Sequence, residues 1–138
     1  MEYNVDMYID AVIVKGETKG FSSTINVLDE DTNNTFVPLD LNDYTVQFRV
    51  MGSATADAEV LVEHLITQNT DVEIEGQITE PEQGQFTFVI TKEDTETLGL
   101  GKFPIQLRLL NAETLEHEFT ITEGGLNGEY NAITIVQV

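Results

Sequence analysis

KGETKGFSSTINVLDEDTNNTFVPLDLNDYTVQFRVM, residues 15–51, is the stretch whose reading decides the fold. Phe21, Ser23, Ile25 and Val27 fall on one face of an alternating pattern, and so do Tyr44, Val46, Phe48 and Val50. A period of two is the mark of a half-buried strand, so the stretch reads as one strand ending at Leu28, a connection, and a second strand from Tyr44 to Met51. The polar run Asp29–Asn34 (DEDTNN) is made of turn-forming residues and predicts a hairpin. Phe36, Val37 and Leu39 then return the chain to the core, with Pro38 barred from a central ladder position. Leu39-Asp40-Leu41-Asn42-Asp43 reads as a corner: the Asp and Asn side chains bond nearby backbone N–H groups while both leucines point inward.

Working outward, Val5–Val14 is a strand followed by a turn at Lys15-Gly16-Glu17. Beyond Met51, Gly52–Asp57 is a polar loop, and Glu59–Thr67 is a strand in which either face could be buried. Gln68–Asp71 is a turn, and Val72, Ile74, Gly76 and Ile78 line one face of the next strand. Glu80–Gly84 is a tight turn, with Pro81 fixing φ early and Gly84 supplying a positive φ late. Gln85–Ile90 is a strand with Phe86, Phe88 and Ile90 inward. Thr91 and Asp94 have capping-box spacing at the start of a helix over Lys92–Leu98, ended by Gly99 and Gly101 and placed as a lid across one end of a sandwich. In Lys102–Leu110, Phe103, Ile105, Leu107 and Leu109 alternate with Gln106 and Arg108, and Pro104 argues for an edge or a strand start. Asn111–Thr114 joins this strand to a partner, Leu115–Thr122, in which Leu115, His117, Phe119 and Ile121 align. Gly124, Gly125 and Gly128 mark a loop. Tyr130–Val138 is a last strand, apolar on both faces, that either pairs internally or adds to a neighbouring subunit's sheet edge. Eight or nine strands with one short helix predict an all-β antiparallel sandwich, a single domain over residues 1–138.

Composition narrows the function classes. Six Lys+Arg against 25 Asp+Glu give a formal net charge of −19, which repels nucleic-acid phosphates and anionic membranes. The chain has no cysteine, so it has neither a disulfide framework nor a thiolate metal site. Its first residues lack the basic and apolar regions of a signal peptide, and no window is apolar enough to span a bilayer. The expectation is a protein assembled in the cytoplasm that touches neither nucleic acid nor membrane.

Motifs that carry chemistry are sparse. Asp29, Asp31 and Asn33 have the 1-3-5 spacing of a calcium loop, with Asp40 at position 12. Position 6 is Asn34 rather than Gly and position 12 is Asp rather than Glu, so a solvated hairpin loop is the competing reading. His64 and His117 show no metal-ligand spacing. Ser22, Ser23 and Ser53 lack a nucleophile elbow, and EGGLNGEY lacks the Lys-Ser/Thr of a phosphate loop. Asn33-Asn34-Thr35 matches a glycosylation pattern by chance. No cofactor and no catalytic residue is expected.

K-G-E-T-x-x-F at Lys15–Phe21, V-P-L-D-L-N-D-Y at Val37–Tyr44 and V-Q-F-R-V at Val46–Val50 together resemble the N-terminal domain of phage baseplate upper proteins, with Asn42-Asp43 where that family has Thr-Gly. I-T-E-P-E-Q-G-Q-F-T-F at Ile78–Phe88, T-K-E-D-T-E-T-L at Thr91–Leu98 and G-K-F-P-I-Q-L-R-L at Gly101–Leu109 extend the resemblance over about residues 10–122. The resemblance implies an immunoglobulin-like sandwich and a non-enzymatic structural protein of a tailed-phage virion, a stand-alone accessory or adaptor of baseplate, tail or neck. Such a protein docks on other virion proteins as a homo-oligomer or symmetric array. A head-decoration or head-fibre protein of the same fold is the alternative, as is a receptor- or carbohydrate-binding module, which the absence of Trp disfavours.

Overall fold

The computed structural model describes residues 5–6, 9–29, 35–53, 58–121, 123–124 and 129–138. Its strands in chain order are β1 (Val5–Asp6), β2 (Asp10–Val14), β3 (Lys19–Thr24), β4 (Asn26–Asp29), β5 (Thr35–Pro38), β6 (Tyr44–Met51) and β7 (Val60–Ile66). They continue as β8 (Ile78–Glu80), β9 (Gln85–Ile90), β10 (Gly101–Asn111), β11 (His117–Ile121), β12 (Glu123–Gly124), β13 (Glu129–Tyr130) and β14 (Ala132–Val136), with the helix α1 (Lys92–Leu98) between β9 and β10.

Two main sheets face each other. One runs β2-β14-β10-β6-β7, with β11 also against β10, and the other runs β3-β9-β8. Their inner faces meet in one hydrophobic core that includes Val46, Phe48, Val50, Ile105, Leu107 and Ile133 from the first sheet and Phe86, Phe88 and Ile90 from the second. The Phe48 and Phe88 rings stack across the gap with centroids 4.7 Å apart. The order β14-β10-β6-β7 opposite β3-β9-β8 is the G-F-C-C′ over B-E-D arrangement of a variable-type immunoglobulin sandwich.

Most expected strands are present, but several are cut, so eight or nine become fourteen segments among the described residues. The expected strand from Phe21 to Leu28 divides at Ile25. That residue is fully buried; its N–H donates to Gly84 O and its carbonyl accepts from Leu39 N, both at 2.9 Å. These two long-range bonds swing the chain out of the β3 sheet into a small sheet, β1-β4-β5, where Asp29 faces Thr35 across the expected hairpin. Phe36, expected inward, is 47% exposed because β5 is an edge strand of that small sheet. The expected strands Leu115–Thr122 and Tyr130–Val138 lie along one line: β11 pairs with Leu107–Leu110 of β10 and β14 with Gly101–Pro104, and the short pair β12–β13 comes between them in the chain. Leu115 lies in the turn before β11 at φ 60° and is 51% exposed, so it does not join the inward row.

The sandwich is not wholly antiparallel. β14 pairs in parallel with β2, from Ala132 opposite Asp10 to Val136 opposite Val14. The apolar C-terminal strand is therefore internal, held between β2 and β10. Pro104 sits in β10, a central strand, just before the rung at which β6 begins to pair, Ile105 opposite Val50. Ile105 N–H points to the β14 side, onto Asn131 O, so Pro104 withholds its missing donor from the β6 side, where no rung requires it.

The predicted strand over Val72–Ile78 shortens to Ile78–Glu80. Residues 72–75 form a turn in which Asp71 O accepts the N–H groups of Ile74, Glu75 and Gly76. Gly76 ends it at φ +97°, where a Cβ would lie 2.2 Å from Thr87 O. Only glycine permits this approach of two backbones.

Candidate functional site

The outer face of the β7-β6-β10 sheet carries a cross-strand polar network. Both arginines of the chain belong to it. Arg108 Nη1 donates to Gln47 Oε1 at 2.9 Å, and Gln47 Nε2 donates to Glu63 Oε1 at 2.8 Å. Arg49 Nε donates to Glu63 Oε2 at 3.1 Å and Arg49 Nη1 to Gln106 Oε1 at 3.3 Å. The register places these groups side by side: Arg49 lies opposite both Glu63 and Gln106, and Arg108 opposite Gln47. Gln47 and Thr45 are buried although they point away from the core. This is a hydrogen-bonded polar surface with two cations and one carboxylate on a chain of net −19.

A second arrangement lies under α1. Thr91 Oγ1 accepts from Asp94 N at 3.1 Å and Asp94 Oδ2 accepts from Thr91 N at 3.0 Å, the capping box expected from their spacing. The same Oδ2 is 2.7 Å from His64 Nε2 on β7, with both side chains 15% exposed. Burial pushes the Asp94 carboxyl up, but the His64 hydrogen bond and the Thr91 N–H outweigh it and hold the group below its ordinary range. In the same first turn of the helix, buried Thr95 accepts from Gly16 N at 2.9 Å and donates to Lys92 O at 2.7 Å, while Lys92 N donates to Thr18 Oγ1 at 2.9 Å. The helix thus straps the β2–β3 turn to β7. The contact joins β7 to the first turn of α1 and so tethers the helix to the sheet. His64 and Asp94 are 30 positions apart, so no local sequence signal marks the contact.

Asp29 ends β4, Asp31 and Asn33 lie outside the described residues, and Asp40 sits past β5, its Oδ1 accepting from Asn42 N at 2.9 Å and from Asn42 Nδ2 at 2.8 Å. The Asp40 carboxylate is therefore occupied with its own corner. His117 bonds Thr120 Oγ1 on the exposed strand β11, and Ser22 and Ser23 lie in β3. Among the described residues no three His, Asp or Glu side chains come together as metal ligands, and no helix is long and apolar enough to cross a membrane. A cleft of about 410 Å³ opens between the edges of the two sheets, lined by Ile9, Ala11, Val12, Phe21 and Phe88 with Asp10 and Lys19 at its rim.

No family model matches the chain, and no curated protein matches it. Among solved structures it is similar to the NK cell receptor Nkp44, described as a triggering partner in natural cytotoxicity, at 13% identity over 94% of this chain and 98% of that one, with a TM-score of 0.49.

Proposed function

We propose that the chain is a non-enzymatic structural protein of a tailed-phage virion, an accessory or adaptor of baseplate, tail or neck that acts by docking on neighbouring virion proteins. The observation that carries this reading is the corner at residues 37–44, the most distinctive part of the resemblance to baseplate upper proteins. Its two leucines are buried, Leu39 at 9% and Leu41 at 0% exposure, and Asp40 closes it by accepting from Asn42. The positions that match the family pattern are thus those that build this sandwich, as expected if the likeness lies in a shared scaffold. The polar network of β7-β6-β10 suits a docking role, because its side chains are ordered before a partner arrives and so lose little entropy on binding.

The experiment is mass spectrometry of purified particles from the phage that encodes the chain, followed by cryo-electron microscopy with the chain tagged at a loop. The expected result is a stoichiometric virion component located on the tail, neck or baseplate. Particles that assemble and infect without the chain, and never contain it, would sink the reading.

A further inference from the structure

We propose that the outer face of β7-β6-β10 docks a segment of a different, neighbouring protein by taking an Asp or Glu carboxylate of that segment onto Arg108. The inference rests on the docking role proposed above and adds the chemistry of the partner.

The two arginines of this face are held in different ways. Arg49 uses its Nε on Glu63 Oε2 and its Nη1 on Gln106 Oε1. Arg108 is held by Nη1 alone, on Gln47 Oε1 at 2.9 Å. Its Nε and Nη2 have no acceptor among the described residues, and neither is buried without a partner, so both meet solvent. Those two atoms form the side-on fork that grips a carboxylate with two parallel bonds. Among the described residues the ion pairs are Arg49–Glu63 and His64–Asp94, so Arg108 stands without a carboxylate on a chain that has 25 of them. Its anchor is itself fixed: Gln47 is 7% exposed, and Gln47 Nε2 donates to Glu63 Oε1 at 2.8 Å. A guanidinium held at one corner and open along one edge loses little freedom when a carboxylate arrives.

The surrounding charge selects the partner. At the outward positions 45, 47 and 49 of β6, 63 and 65 of β7, and 104, 106, 108 and 110 of β10, the charged residues are Arg49, Arg108 and Glu63. The patch therefore carries a net +1 on a molecule of net −19. A basic segment is drawn to the rest of the surface and turned away here, where a carboxylate is attracted. A polyanion is repelled by the molecule as a whole. A single carboxylate on an otherwise uncharged segment satisfies both conditions.

Strand register adds an apolar contact. Thr120, Arg108, Gln47 and Leu65 lie on one rung across β11, β10, β6 and β7. Leu65 is 40% exposed and stands two strand spacings, about 10 Å, from Arg108. In an extended segment about three residues cover that span, so the partner carries an apolar side chain over Leu65 close in sequence to the carboxylate on Arg108.

The test replaces Leu65 by the photoreactive p-benzoylphenylalanine in the full-length chain, irradiates the cells that produce it, and sequences the captured peptide. The expected peptide comes from another protein and has an Asp or Glu within about three residues of the crosslink. Arg108→Glu is expected to lower capture about tenfold or more, and Arg108→Lys, which keeps the charge without the fork, about threefold. Lys102→Glu makes the same change of charge about 20 Å away along β10 and is expected to leave capture unchanged. Changing the captured carboxylate residue to Arg is expected to restore capture by Arg108→Glu. Circular dichroism checks that each variant keeps the fold, and Arg108→Lys carries the test if the charge reversal does not. No capture, capture of a second copy of this chain, a peptide without a carboxylate, or equal losses from Arg108→Glu and Lys102→Glu overturns the inference. A captured protein that is no virion component sinks the virion reading and leaves this one standing; undiminished capture by Arg108→Glu within particles does the reverse.

Discussion

Two turns of this molecule use the same local device and end in opposite places. At the corner, Asp40 Oδ1 accepts from Asn42 N at 2.9 Å; at the β7–β8 connection, Asp71 Oδ1 accepts from Glu73 N at 2.9 Å. Both set two apolar residues around an acidic one, Leu39-Asp40-Leu41 and Val72-Glu73-Ile74. Yet Leu39 and Leu41 are 9% and 0% exposed, whereas Val72 and Ile74 are 46% and 56% exposed. The difference lies in where the backbone bonds go. Leu39 N donates to Ile25 O and Leu41 N to Pro81 O, remote carbonyls that draw the chain across the end of the core. In the other turn the N–H groups of Ile74, Glu75 and Gly76 all return to Asp71 O, and the segment closes on itself. Alternation of apolar residues records a face; only the partners of the backbone decide whether that face is turned inward.

The comparison is broken most severely at the glycines that hold each turn against its neighbour. Gly76→Ala puts a Cβ 2.2 Å from Thr87 O at φ +97°, and Gly84→Ala, behind the corner, puts one 2.4 Å from Ile25 O at φ +66°. Each is expected to cost about 3 kcal/mol or more, as strained backbone and forced separation of paired strands combine. Urea unfolding of both variants checks this. A mild Gly76→Ala would mean that the β7–β8 turn is not locked against β9, and the contrast between a closed turn and a crossing corner would lose its basis.

The apolar residues come next. Leu41→Ala removes a fully buried side chain and is expected to cost about 2–5 kcal/mol. Ile74→Ala, at 56% exposure, is expected to stay within about 0.5 kcal/mol. The two changes delete similar atoms, so the gap between their denaturation midpoints measures burial alone.

What the sequence disclosed follows the same division. The inward rows Val46-Phe48-Val50, Phe86-Phe88-Ile90 and Ile105-Leu107-Leu109 were legible because a two-residue period in a sandwich interior is local. So was the Thr91–Asp94 capping box, whose two bonds span three residues. The bend at Ile25, the parallel pairing of β14 with β2 and the Asp94–His64 contact were not legible. Each depends on groups far apart in the chain: Gly84 for Ile25, residues 132–136 for β2, and β7 for the helix. The outer-face network has the same character, since Glu63, Gln47, Arg49 and Arg108 become neighbours only through strand register.

The Asp94–His64 contact supplies a pH test of intermediate size. Asp94 has its folded pKa depressed below the ordinary 3.8, so its contribution is fully present above that value and is lost as pH falls through the folded pKa. Asp94→Asn is therefore expected to be less stable than the unmodified chain at neutral pH, with the difference in melting temperature shrinking as pH falls below about 4. His64→Gln separates the tether from the cap: it removes the bond to β7 and leaves Thr91 capped by Asp94. A difference between Asp94→Asn and the unmodified chain that is constant from pH 7 to pH 3 would exclude an ionised Asp94 as the source.

The smallest effects return to the two aspartates. Asp40 accepts two bonds, from Asn42 N at 2.9 Å and Asn42 Nδ2 at 2.8 Å, whereas the Asp71 side chain accepts one, from Glu73 N at 2.9 Å. All of these are exposed, so water replaces much of what is lost. Asp71→Ala is expected to cost about 0.5–1 kcal/mol and Asp40→Ala about 1–1.5 kcal/mol. Adding Asn42→Ala to each sharpens the result. In the Asp40 background the second change should cost less than it does alone, because its bond partner is already gone; in the Asp71 background the two costs should add. If instead Asp40→Ala is as cheap as Asp71→Ala and couples to nothing, the corner is held by its remote backbone bonds to Ile25 and Pro81 alone, and the acidic residue between its leucines serves only to keep that position polar.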